Sequence, residues 1–188
     1  MRIFRAADHR RMPWKNGGGE TTEIAVFPEA AGLSEFDWRV SMARVDGDGP
    51  FSEFPGIDRT LSILEGAGIV LDVEGHEPIA LTRQSPPHAF PADVPTTARL
   101  IDGSVVDFNV MTRRDRLAHR VASLSEAARS EAGSVRLILS AGGPLAIDVD
   151  GRSIMLDRFD ALLLDPAEHA RIGTSTAASA YLVTFRPV

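Results

Sequence analysis

Cysteine is absent from the chain, which excludes disulfides, thiolate metal sites and a cysteine nucleophile, and which accords with a cytoplasmic setting. Histidine is sparse. His9, His76, His88, His119 and His169 stand in no H-x-H, H-E-x-x-H or H-x-x-x-H spacing, so a metal site would need ligands from distant segments; metal and other cofactors are not expected. No G-x-S-x-G elbow marks a serine nucleophile, and no G-x-G-x-x-G follows a strand. Positive charge is in the minority, 20 basic against 26 acidic residues for a formal net charge of −6, which argues against nucleic acid as a partner. The local exception is Arg113, Arg114, Arg116 and Arg120. No apolar run approaches the roughly 18 residues of a membrane helix. The charged start Met1-Arg2-Ile3-Phe4-Arg5 has no apolar core, so neither a signal peptide nor a membrane partner is expected.

What the 188 residues do contain is strand signal: short runs of Val, Ile, Leu, Thr and Phe punctuated by Gly, Pro and Asp. The runs fall at residues 21–27, 37–45, 57–64, 69–73, 79–82, 97–101, 106–112 and 118–124, then at 135–139, 145–149, 154–156, 161–164 and 180–185. Alternation is clearest in 37–45, where Trp38, Val40 and Met42 share one face and Arg39, Ser41 and Ala43 the other. Residues 125–134, with Glu126, Ala127, Ala128, Arg129 and Glu131, carry the only helical composition and form the candidate linker. Placing Gly66 on Gly142 puts Asp72 on Asp148, Val73 on Val149 and Gly75 on Gly151, an internal echo through a whole hairpin. The pattern predicts an all-β chain of two tandem barrels or sandwiches, divided as 1–124 and 125–188 with strands shared between them.

Chemistry concentrates first in Pro13-Trp14-Lys15-Asn16-Gly17-Gly18-Gly19-Glu20-Thr21. Three glycines let backbone approach a ligand closely, and an aromatic, an ammonium, a carboxamide and a carboxylate surround them. A glycine-rich surface turn is the competing reading. Lys15 precedes the glycines, so this is no phosphate loop. The second concentration is on strands: Asp107, Asn109, Met111 and Arg113 alternate with Phe108, Val110 and Thr112. Together with Arg39, Ser41 and Arg59 they would turn guanidinium and amide donors toward one cavity, a set suited to a carboxylate. Periodicity leaves the alternative open that these arginines lie on a solvated face.

The segments Pro13-Trp14-Lys15-Asn16-Gly17-Gly18-Gly19-Glu20-Thr21-Thr22-Glu23-Ile24, Asp37-Trp38-Arg39-Val40-Ser41-Met42-Ala43, Gly49-Pro50-Phe51-Ser52-Glu53-Phe54-Pro55-Gly56-Ile57-Asp58-Arg59 and Asp107-Phe108-Asn109-Val110-Met111-Thr112-Arg113 resemble the HutD/Ves family of bacterial proteins. The resemblance lies in residues 1–120. It implies a bicupin, two cupin-like barrels in one chain, usually without the cupin metal. It also implies a link to histidine utilisation, as a sensor or governor that binds an intermediate such as N-formylglutamate, whereas the Ves branch is associated with cold and stress response.

The expected function is therefore non-catalytic binding of a small carboxylate in the N-terminal barrel. Arg39, Arg59 and Arg113 would bind charge; Asn16, Ser41 and Asn109 would read an amide or formyl end; Trp14 would exclude water, with Lys15 and Glu20 beside it. The alternatives are a metal-independent enzyme on a similar acid, using Glu20 or Lys15 as acid or base, and a stress-response interaction module in which Arg113-Arg114-Asp115-Arg116 would be a contact. A homodimer is left open.

Overall fold

Residues 69–73 show why this chain forms sheets: Ile69, Leu71 and Val73 are buried while Asp72 is exposed, the period of two of a half-buried strand. The computed structural model describes residues 1–15, 17–173 and 180–188. In chain order the strands are β1 (Arg2–Phe4), β2 (Arg10–Pro13), β3 (Gly19–Phe27), β4 (Trp38–Val45), β5 (Gly49–Pro50), β6 (Ile57–Glu65), β7 (Ile69–Val73), β8 (Ile79–Leu81), β9 (His88–Pro91), β10 (Thr96–Leu100), β11 (Val105–Arg113), β12 (Leu117–Leu124), β13 (Ala128–Ser130), β14 (Val135–Ser140), β15 (Leu145–Val149), β16 (Arg152–Leu156), β17 (Ala161–Leu164), β18 (Ala170–Ile172) and β19 (Ala180–Pro187). A 3-10 turn at Ala6–Asp8 is the sole helical element among the described residues. No helix is long and apolar enough to cross a membrane.

The chain divides into two units: Arg10–Ala118 with Pro187–Val188, and Met1–His9 with His119–Arg186. In the first, a six-stranded sheet ordered β2-β3-β4-β11-β6-β9 and a four-stranded sheet ordered β5-β10-β7-β8 share an apolar core that includes Val45, Leu61, Ile63, Leu71 and Val105. In the second, β1-β17-β14-β19-β12 and β13-β18-β15-β16 enclose Ile138, Leu145, Ile147, Leu156 and Leu162. The four-stranded sheets correspond strand for strand. Their hairpins pair alike, Ile69 with Leu81 and Leu145 with Leu156, so the echo read from the sequence is a repeat of topology. The second hairpin turns at Asp150 and Gly151, whose φ of 48° and 84° give the left-handed pair that a tight two-residue turn requires.

Two expectations differ from the structure. Residues 125–134 are neither helix nor free linker: Ala128–Ser130 pairs with β18, Ser130 opposite Ala170. The cause lies outside the segment. The buried Arg136 guanidinium donates to the carbonyls of Ser130, Glu131 and Ser134, and at 2.7 Å each to those of Asp165 and Glu168, fastening the stretch to its sheet. The division expected between 124 and 125 also differs, since Met1–His9 join the C-terminal unit. There β1 pairs with β17, Arg5 Nη1 meets Asp160 at 2.6 Å, and the Ala6 amide donates to the same carboxylate.

Candidate functional site

Register places the polar residues of the N-terminal unit in three adjacent rows across β4, β11 and β6. Arg39 stands opposite Met111 and Met111 opposite Arg59; Ser41, Asn109 and Leu61 form the next row; Ala43, Asp107 and Ile63 the third. The shared face is the core face, because Ala43, Leu61 and Ile63 belong to the apolar cluster completed by Ile69, Leu71 and Val73 of β7. Arg39, Ser41, Arg59, Asp107 and Asn109 are all buried, which removes the solvated-face alternative for them. Desolvating this many polar groups without pairing them is costly, so their partners matter.

Arg39 is paired. Its Nε donates to Glu23 Oε2 at 2.7 Å, with both side chains largely out of solvent. Glu23 reaches it from β3, where it stands opposite Ser41 just before a bulge at Glu23/Ala25. Arg59 is different: among the described residues no carboxylate is in ion-pair contact with it, its Nε has no hydrogen-bond partner, and Nη2 reaches only Met111 Sδ at 3.8 Å. Its guanidinium instead lies 5.2, 5.4 and 5.8 Å from the ring centroids of Phe51, Phe54 and Phe90. Burial lowers its pKa to about 10, Asp107 opposing that shift and Arg39 adding to it.

Asp107, 1% exposed, has its pKa raised to about 7 by burial; the Arg59 charge and hydrogen bonds from Asn109 and the Ala43 amide only partly oppose the rise. Asn109 Nδ2 donates to Asp107 Oδ1 at 2.5 Å, and Asn109 Oδ1 is buried with no partner. A free donor on Arg59 and a free acceptor on Asn109 therefore lie one row apart, in an interior where such atoms are ordinarily satisfied.

Trp14 packs its ring on the same apolar cluster and donates Nε1–H to Thr21 Oγ1 at 2.8 Å. Its loop closes on itself through Trp14 N–H to Gly19 O at 2.9 Å and Gly17 N–H to Trp14 O at 3.0 Å. Gly19 is glycine for want of space: a Cβ there would sit 2.1 Å from the Arg44 carbonyl oxygen and 3.1 Å from the Trp14 ring.

Of the residues singled out from the sequence, the structure brings together Arg39, Ser41, Arg59 and Asn109, with Trp14 against the same core. It leaves out three. Lys15 is exposed. Glu20 lies opposite the exposed Arg44, on the other face from Gly19 and Thr21, and 3.9 Å from Arg11. Arg113 spends its guanidinium on the backbone carbonyls of Phe36 and Ser34, at 3.2 and 3.0 Å. Asn16 lies outside the described residues. Glu23 and the rings of Phe51, Phe54 and Phe90 carry no ligand role in the sequence; Asp107 shares a strand face there with Asn109 but has no role of its own. The arginine run is taken up internally, Arg114 by Asp58 and Asp93 and Arg116 by Asp37.

Among the described residues, the C-terminal unit shows no buried arginine left without carbonyl or carboxylate partners. On the core face of β14, Arg136 spends its donors on carbonyls, and Ile138 and Ser140 follow it. A surface hollow of about 560 Å³ there is lined by Asp148, Asp150, Gly151, His169 and Arg171, but His169 and Asp150, 3.6 Å apart, are more than half exposed. Among the described residues no group of three or more His, Asp or Glu is placed to hold a metal ion.

A family model described as HutD matches residues 6–182. An uncharacterized 21.2 kDa protein in the hutC 3' region of Pseudomonas putida is 33% identical over 168 residues, covering 88% of this chain and 87% of that one. Protein Ves of Citrobacter koseri is 42% identical over 118 residues, a match that takes in 61% of this chain and only 60% of that protein's length. HutD from Pseudomonas fluorescens SBW25, solved in a formate condition, superimposes with a TM-score of 0.83 at 31% identity over 100% of this chain and 98% of that one. At the level of fold alone, a cupin 2 conserved barrel domain protein from Leptotrichia buccalis gives a TM-score of 0.59 at 12% identity over 88% of each chain, which makes the all-β architecture cupin-like.

Proposed function

This chain belongs to the HutD family, and from that membership together with the state of Arg59 we propose that its N-terminal unit is a non-catalytic receptor for a small carboxylate, with a role linked to histidine utilisation. The ligand class is an intermediate such as N-formylglutamate. One observation carries the reading: a buried guanidinium that has aromatic rings around it, an unpartnered Nε and, among the described residues, no carboxylate in ion-pair contact. A stabilising role would pair that charge; an anion-binding role leaves the place open. Asn109, one row away, keeps a side-chain polar atom without a partner beside that guanidinium, and Arg39, neutralised by Glu23, is not the group that takes the anion.

Arg59→Met separates function from stability. A hydrogen bond to a charged group is worth about 1.5–3 kcal/mol, so titration calorimetry with N-formylglutamate should show affinity falling about tenfold to a hundredfold. Folding stability should hold or rise, because a buried unpaired charge is replaced by an apolar chain of similar length. Unchanged affinity in the variant, or no binding heat in the wild type, overturns the reading.

One observation favours an enzyme as the second reading. Asp107 has a pKa near neutrality inside the candidate site, as a general acid or base would, whereas Glu20 and Lys15 lie outside it. Mass spectrometry after incubation with N-formylglutamate separates the two: altered ligand favours the enzyme, intact ligand the receptor.

A further inference from the structure

The charge balance of the N-terminal interior restricts how an anion can enter it. Arg39 and Glu23 cancel as an ion pair, and Arg59 is offset by Asp107 when that carboxyl is ionised. A carboxylate arriving at Arg59 would then leave one uncompensated negative charge where water is scarce. Asn109 adds a second obstacle. While its Nδ2 donates to an ionised Asp107, the amide can present only Oδ1 to the interior, and that oxygen repels an anion.

Building on the receptor reading, we propose that the N-terminal interior takes up its carboxylate together with one proton, held on Asp107, and that Asn109 turns its side-chain amide in the same event. The only covalent bond formed is the O–H on Asp107, its proton drawn from the bulk buffer. Once protonated, Asp107 donates to Asn109 Oδ1, and the NH2 group of Asn109 turns toward the ligand beside the free Nε of Arg59. Two unmatched atoms become matched, and the one carboxylate group that meets Arg59 adds no net charge to the interior; the second carboxylate of a ligand such as N-formylglutamate has to stay in solvent.

Among the described residues, the other carboxylate of this interior, Glu23, is held in an ion pair with Arg39. In register Asp107 stands opposite Ile63 of β6 and Ala43 of β4, with Thr21 of β3 beyond. Arg59, two rows along on β6, acts on it through its charge; Arg39, as far along on β4, is paired with Glu23 of β3, and β7 brings Ile69, Leu71 and Val73 to the same core. On β9, His88 is half-buried against Phe90, and burial, with His76 nearby, lowers its pKa. Asp107, whose own pKa lies at about 7, is the group balanced between its two forms.

Calorimetry of the wild-type chain with N-formylglutamate, repeated in buffers of different ionisation enthalpy, reads proton uptake directly. At pH 8 the binding heat should vary with buffer enthalpy with a slope near one proton, and at pH 5.5 with a slope near zero. Affinity should fall about tenfold per pH unit above 7 and level off below it. Asp107→Asn, which fixes the neutral form, should bind with no buffer dependence at either pH. Binding heat at pH 8 with zero slope overturns the proton proposal and leaves the receptor reading standing. A slope that persists in Asp107→Asn places the proton elsewhere and overturns it too. No heat at any pH removes both.

Discussion

At Asp107, burial outweighs every favourable contact the carboxyl makes, and the consequence reaches beyond the ligand. A carboxyl whose pKa rises from 3.8 to about 7 on folding binds more protons in the native than in the unfolded state between those values. Stability contributed by that proton is therefore present at low pH and is lost as pH rises toward 7. Asp93, held down to about 2 chiefly by Arg114, acts in the opposite sense but below pH 4, so the two windows do not overlap. Urea denaturation of the wild type between pH 4.5 and 8 should show stability declining by a few kcal/mol, and Asp107→Asn should flatten the decline. Because burial lowers the pKa of His9 and His88, which adds stability as pH rises in the same range, the readout is the difference between the two proteins: equal profiles in wild type and Asp107→Asn refute the assignment. Residue-level legibility followed the same physics. Alternation put Asn109 on the core face with Asp107, but it also put Arg113 there, and nothing local reveals that the carbonyls of Ser34 and Phe36 wait at the end of the strand. Phe51 and Phe54 come from the loop before β6 and Phe90 from β9, so no strand period links the three rings to Arg59.

The start of β3 with the loop before it resists substitution unevenly. Gly17 and Gly19 read alike in the sequence, yet they are glycines for different reasons. Gly17 has φ +72° and open space where a Cβ would go, so Gly17→Ala should cost only the left-handed penalty of about 1–2 kcal/mol. Gly19→Ala drives a methyl into the Arg44 carbonyl of β4 and against Trp14, so it should push β3 away from β4 as well as lose the indole's seat. Chemical denaturation should find Gly19→Ala the more damaging of the pair, and N-formylglutamate affinity should drop in Gly19→Ala while Gly17→Ala keeps it. Equal costs for both would show that conformation alone, and not close approach, sets the glycine. The long strands β3, β4, β6 and β11 were readable because each shows its period over eight or nine residues. Shorter ones such as β5, β13 and β18 were not. In 125–134 the helical composition was real, but the distant carbonyl demands of Arg136 decided the outcome.

Across the whole molecule the two units are a repeated topology with different interiors, and the difference lies in what each buried arginine is given to do. Arg136 has its donors filled by main-chain carbonyls of its own unit, whereas Arg59 stands among rings with Nε unfilled. One core cluster of the C-terminal unit is aliphatic, with Leu145, Ile147, Leu156 and Leu164 where a polar ligand would need partners. The repeat itself could be read from the sequence, because Asp-Val-acid-Gly turns are local; the division of labour could not, because satisfying a guanidinium is a tertiary event. One ligand per chain is the expected stoichiometry. Hydrogen exchange with and without N-formylglutamate should show protection gained in 38–45, 57–65 and 105–113, whose strands carry Arg39, Arg59 and Asn109, and none in 135–140. Protection confined to 135–140 would move the ligand to the aliphatic unit and leave the charge on Arg59 without a purpose.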